Sequence, residues 1–205
     1  MRKKRQSGFT LVEILVVIAI IALIIGLVTP TLFQGQERAH VVACQNNLKE
    51  IGTTILLYKG SHENRFPSAS GIRFFLEPWR THEIEHTEKN AKIYVCPGDT
   101  QGTFVVDPET GEFLLEDLEA VDSRVTSYAG RNTRDYPLRK VKLGDQAIVS
   151  DDWENGPNHR NVINVLFADL SFQSMNVRED LDSDPNELVV GEESQVEILR
   201  VLSID

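Results

Sequence analysis

From Ile14 to Val28 the chain runs for fifteen residues without a polar side chain. Extended back to Phe9 the stretch is twenty residues long, and only Thr10 and Glu13 interrupt it. Wound as a helix at 1.5 Å per residue, twenty residues reach about 30 Å, the thickness of a bilayer core. Arg2, Lys3, Lys4 and Arg5 precede the stretch, and basic residues flanking a span stay on the cytoplasmic side, so the chain after Pro30 is expected outside. A cleaved secretory signal has a shorter apolar region ending in a small-x-small site, and Val28-Thr29-Pro30-Thr31 is not that pattern. A plain anchor leaves Glu13 unexplained. A carboxylate deep in a span costs about 2.5–3.5 kcal/mol on insertion scales, so it needs a partner.

Ser7-Gly8-Phe9-Thr10-Leu11-Val12-Glu13 resembles the processing site of type IV pilins and type II secretion pseudopilins. The resemblance implies cleavage between Gly8 and Phe9 by a membrane peptidase, methylation of the new Phe9 amine, and an assembly role for Glu13 as fifth residue of the mature chain. The physics agrees. Cleavage creates a cationic amine within the membrane, and the Glu13 carboxylate of a neighbouring subunit can neutralise it, which favours a staggered helix register. Gly8 lets a protease approach the backbone closely.

After Pro30, Leu48, Ile51, Ile55 and Tyr58 recur at helical spacing with Gln45, Asn46, Asn47, Lys49 and Glu50 between them, the mark of an amphipathic helix. One helix from Phe9 to Lys59 is predicted, loosened at Pro30 and ended by Gly60 and Ser61. The expected segments are a basic leader (1–8), a transmembrane assembly helix (9–29), its amphipathic continuation (30–60) and a globular domain (61–205). Strands are expected at Ile93–Cys96, Thr103–Val106, Val125–Ala129, Ala147–Ser150, Val162–Ala168 and Ser171–Met175, with Pro97-Gly98 central to a type II turn. The class is α+β, a long helix packed on a small antiparallel sheet in a pilin-like fold.

Cys44 to Gly52, with Tyr58 and Phe66-Pro67, resembles a group of bacterial prepilin-like proteins whose C-terminal signature is a His, nine residues, then Asp-Gly. His159 precedes Asp169 by that interval, but Leu170 replaces the glycine. Leucine is unsuited to the positive φ of a two-residue type I′ hairpin, so a longer or different turn is expected. His159 and Asp169 are expected to pair around that hairpin.

His82-Glu83-Ile84-Glu85-His86 matches the HExxH pattern of zinc proteases, but it lies in a short polar stretch with no third-ligand motif, and a solvated helix or loop is the expected reading. Cys44 and Cys96 are the two cysteines, both on the exported side. A disulfide between them would close a loop of about fifty residues, contributing about 3–4 kcal/mol in the chain-entropy model; two buried free thiols are the alternative. Residues 107–122 and 178–193 are acidic. Asp180, Asp182 and Asp184 alternate as calcium ligands can, although solvated loops are the usual state of such runs. Asp151-Asp152 is another candidate oxygen site. No metal or other cofactor is expected; the candidates for one are these aspartates for calcium and His82 with His86 for zinc.

The net charge of −10 disfavours nucleic acid as a partner. The expected partners are the prepilin peptidase and methylase, copies of the chain or related pilins in a filament, and inner-membrane lipid. The expected placement is a single inner-membrane pass with a cytoplasmic N-terminus and a globular domain in the periplasm or on an extracellular filament. The expected role is structural and not enzymatic, as a subunit of a type IV pilus-like or type II secretion pseudopilus filament. The alternatives are a surface binding module on the same anchor, marked by an exposed aromatic patch near Trp79 or Trp153, and an anchored zinc hydrolase using residues 82–86.

Overall fold

The structure, a computed structural model, describes residues 10–99, 103, 105–107, 109–115, 121, 124–140, 142–153 and 158–205. The chain divides into an N-terminal unit ending at Arg38 and a globular unit, Ala39–Asp205. Helix α1 is Leu11–Ser61, against the expected Phe9–Lys59, and it passes Pro30 without a break. Around that position the Thr29 hydroxyl donates to the Ile25 carbonyl (2.6 Å) and the Thr31 hydroxyl to that of Val28 (2.7 Å). Both are back-bonds from helical threonine hydroxyls to carbonyls of the preceding turn. Gly60 and Ser61 lie in the last turn and do not end the helix before them.

Within the globular unit, Leu48, Ile51, Ile55 and Tyr58 form the buried stripe that their spacing predicts, and Cys44 extends it by one turn. Helix α2 (Ile72–Arg80) adds Ile72, Phe74, Phe75, Leu76 and Trp79. Helix α3 (Glu88–Ala91) is one turn, capped by the Thr87 hydroxyl. The sheet is antiparallel, in the order β4-β3-β2-β1-β5, with β1 Tyr128–Arg131, β2 Ala147–Asp151, β3 Val162–Phe167, β4 Phe172–Asn176 and β5 Leu202–Ser203. Strands β1 to β3 are buried on both faces, which is why β3 reads as a nearly unbroken apolar run, while β4 is largely exposed. Tyr128, Val149 and Leu166 pack with the stripe of α1. Ala129, Ile163, Val165 and Phe167 pack with Trp153, Met175, Leu188, Leu199 and Leu202. A bulge between Ala147 and Val149 inserts one residue and returns Asp151 to the α1 side.

Four strand expectations hold to within a few residues, one fails, and one, Thr103–Val106, includes Phe104, which lies outside the described residues. Lys92–Tyr94 is a 3₁₀ helix in place of a strand at Ile93–Cys96. Of 103–106, Val106 makes only an isolated bridge to Phe113. The β5 strand, and the short helix α4 (Glu197–Arg200) before it, carry too few residues for a period to be read. The β3–β4 hairpin has a three-residue loop: Leu170 N–H donates to the Phe167 carbonyl (2.9 Å) and Phe167 N–H to that of Ser171 (2.8 Å). Leu170 takes φ 68°, the left-handed position of such a loop, while its side chain lies against Gly52 of α1. Packing on the helix offsets the backbone cost.

Gly130 sits where β1 crosses the start of α2, and a Cβ there would fall 2.1 Å from the Gly71 carbonyl oxygen. Gly130→Ala is expected to destabilise the chain by about 2–3 kcal/mol. Gly60→Ala, helical and with open space around it, is expected to stabilise by up to about 1 kcal/mol. Thermal unfolding followed by circular dichroism checks both signs.

Candidate functional site

The N-terminal unit presents the first candidate surface. Every large apolar side chain from Leu11 to Val28 is exposed, from 42% at Val28 to 81% at Leu11. Mean hydropathy reaches 3.3 over an eighteen-residue window of α1, so this helix is long and apolar enough to cross a membrane. A helix apolar on all sides has to be buried in lipid or among other helices. Its start is locally organised: the Thr10 N–H and hydroxyl both donate to Glu13 Oε2 (2.7 and 2.8 Å), and Glu13 N–H donates to the Thr10 hydroxyl (3.3 Å). This is a capping box, legible in Thr-x-x-Glu but missed from sequence. Glu13 therefore has a partner within its own chain. The expected cleavage and methylation positions, Gly8 and Phe9, lie outside the described residues.

The HExxH segment is not a metal-binding helix. Residues 81–86 are turn and loop, and His82 has φ 56°. His86 stacks on Trp79 at 4.2 Å between ring centroids and its Nε2 lies 2.8 Å from the Trp79 carbonyl. The pentapeptide thus closes over Trp79, which is fully buried, and Trp153 is only 4% exposed, donating to the Pro185 carbonyl at 2.8 Å. Both rings are core, so neither supplies the exposed aromatic patch that would have favoured a surface binding module.

The three alternating aspartates organise their own loop. Asp180 accepts from Asn176 N–H (2.7 Å) and Asp184 from Asn186 N–H (2.8 Å), while Asp182 has φ 49°. They do not form a shared cluster among the described residues. His159 and Asp169 are also separate: Asp169 is exposed and accepts from Ser171, whereas His159 is buried elsewhere.

His159 joins the second candidate site, with Cys44 from α1, Cys96 after the 3₁₀ turn and Asp151 at the end of β2. One ligand-type atom from each lies within 4.8 Å of the others, and all four residues are buried. The cysteines are free thiols and not the expected bridge; each sulfur has polar partners of its own. Cys44 Sγ donates to Asp151 Oδ1 at 2.7 Å and lies 3.4 Å from the Tyr128 hydroxyl. Cys96 Sγ lies 3.4 Å from His159 Nε2 and accepts from Gly98 N–H at 3.3 Å. Asn164 donates to Asp151 Oδ2 through its backbone (2.7 Å) and its side chain (3.0 Å). Burial pushes the Cys44 thiol well up and also raises Asp151. The hydrogen bond with Cys44, then that with His159, lowers the Cys96 thiol to about 6 against the raising effect of burial.

Gly98 is what permits this approach. Its φ is not positive, so the turn is not the expected type II; the Asp99 N–H donates to the Cys96 carbonyl at 2.9 Å. A Cβ at Gly98 would fall 2.5 Å from the Asn158 carbonyl oxygen and 2.9 Å from His159 Cε1. Only glycine fits between the Cys96 turn and the His159 loop.

Residues 3–29 match the prokaryotic N-terminal methylation motif. The chain is 36% identical over 59 residues to the type II secretion system core protein G of Pseudomonas aeruginosa, covering 29% of this chain and 42% of that protein. To the core protein G of Klebsiella michiganensis it is 32% identical over 104 residues, half of this chain and 72% of the relative. This chain belongs to the type II secretion core protein G family. It is also 28% identical over 83 residues to the competence protein ComGC of Halalkalibacterium halodurans, covering 40% of this chain and 76% of that one. Of the Pseudomonas aeruginosa and Aeromonas hydrophila members of the core protein G family the chain spans about half the length, 42% and 47%. No solved structure matches it significantly.

In this core protein G relative the buried carboxylate depends on its donors. Asn164→Ala removes one of them and is expected to lower stability by about 1–3 kcal/mol. Urea unfolding measures the loss, and an unchanged midpoint would show that Asp151 does not depend on that amide.

Proposed function

We propose that this chain is a filament subunit of the pseudopilin and pilin class, held in the membrane by α1 before assembly. In this reading residues 1–8 are a leader removed after Gly8, and Phe9 becomes the N-methylated first residue. Residues 9–29 span the inner membrane and later bundle with other subunits, 30–60 continue the helix, and 61–205 face the periplasm or the filament surface. The observation that carries the reading is the methylation motif at residues 3–29 lying directly over a helix whose large apolar side chains from Leu11 to Val28 are all exposed. Bundling would keep that surface from water when the helix leaves lipid. Family membership and the names of the relatives support a secretion or uptake filament, and favour a structural over an enzymatic role. The peptidase and the neighbouring subunits are the partners this reading requires.

Glu13 has two separable roles in it, capping Thr10 within the chain and neutralising the Phe9 amine of a neighbour. Glu13→Gln keeps a capping group, since glutamine serves in a capping box, and removes the charge. In the native cells it is expected to leave membrane insertion intact and to reduce the amount in sheared filaments by roughly two orders of magnitude. That factor follows if pairing recovers the roughly 2.5–3.5 kcal/mol cost of a carboxylate at depth. Wild-type incorporation of Glu13→Gln would assign Glu13 to capping alone and remove the pairing from the account.

A further inference from the structure

We propose that Cys44, Cys96, Asp151 and His159 form a structural zinc site that ties α1 to the sheet. Two sulfurs, one imidazole nitrogen and one carboxylate oxygen are a four-ligand donor set suited to zinc. The ligand atoms already lie within 4.8 Å of one another. Bond lengths of about 2.0–2.3 Å place tetrahedral ligands about 3.3–3.8 Å apart, and the Cys96 Sγ to His159 Nε2 separation is 3.4 Å. The Cys44 Sγ to Asp151 Oδ1 contact, 2.7 Å, is a thiol hydrogen bond. It would lengthen as the ion takes the place of that hydrogen. Binding deprotonates both cysteines, and any thiol protons leave to solvent, so the exchange is Zn²⁺ for protons with no redox step.

The surroundings are those of a metal site. Asn164 occupies Asp151 Oδ2 with two donors and leaves Oδ1 turned to the sulfur. Gly98 N–H donates to the Cys96 sulfur, an outer contact that steadies a thiolate ligand. All four residues are at most 1% exposed. With four protein ligands and no open side, the site suits structure and not catalysis. A Cys44–Cys96 disulfide is the competing use of the same atoms, but it would take from Asp151 Oδ1 the donor it now has and leave a buried carboxylate oxygen poorly satisfied.

The test uses the full chain in detergent, purified from membranes without chelator. Elemental analysis is expected to give about one zinc per chain, matching a single four-ligand site. Exchange into Co²⁺ should give tetrahedral d–d absorption and a thiolate-to-cobalt charge-transfer band. Both cysteines should resist alkylation until a chelator is added, without reductant. Chelation should lower the melting temperature by more than about 5 °C. His82→Ala should keep the zinc, and Cys96→Ser and His159→Ala should lose it. Unmodified reduced protein that binds neither zinc nor Co²⁺ overturns the proposal, whatever the variants do. So do thiols that appear only after reductant in protein lighter by two hydrogens, which would establish the disulfide.

Discussion

The globular unit is built against one stripe of α1. Leu48, Ile51 and Ile55 are each fully buried, and burial of side chains of this size stabilises by about 1.5–3 kcal/mol apiece. The stripe fixes which face of the sheet turns inward. Tyr128, Val149 and Leu166 meet it, so their strand neighbours face the opposite side and need a cover of their own. The segment from Val177 to Leu202 supplies that cover. Upstream on the same helix the chemistry changes. The large apolar side chains from Leu11 to Val28 are exposed, and a helix apolar on all sides calls for lipid or other helices around it.

Where the stripe reaches Cys44, the core becomes polar. A carboxylate, an imidazole, two thiols and a phenol meet there out of water. Burying such groups is costly unless each is bonded, and the structure bonds them through Asn164, Gly98 and one another. Two backbone features make the meeting possible: the β2 bulge that returns Asp151 to the helix side and the bare Cα of Gly98. An ion there would join four chain segments at once.

The long-range architecture was legible because it rests on period. The spacing of Leu48, Ile51 and Ile55 marked the buried helix face, and the β-rich runs at 147–150, 162–168 and 171–175 marked strands. Ile93–Cys96 misled because a short apolar run does not distinguish a strand from a tight helical turn. The processing motif was legible because its residues are contiguous. The four-residue polar cluster was not, since Cys44, Cys96, Asp151 and His159 lie far apart in the chain and share no metal-motif spacing. HExxH had the spacing without the helix: His82 lies at positive φ and His86 stacks on Trp79. Glu13 was read for its charge alone, although Thr10 three residues earlier already signalled a cap.

The most direct test of the filament-subunit account is the mass of the N-terminal peptide of protein taken from its native membranes. The account predicts a chain that begins at Phe9 with one methyl group on its amine. A chain that still begins at Met1, in cells whose other prepilins are processed, would contradict it.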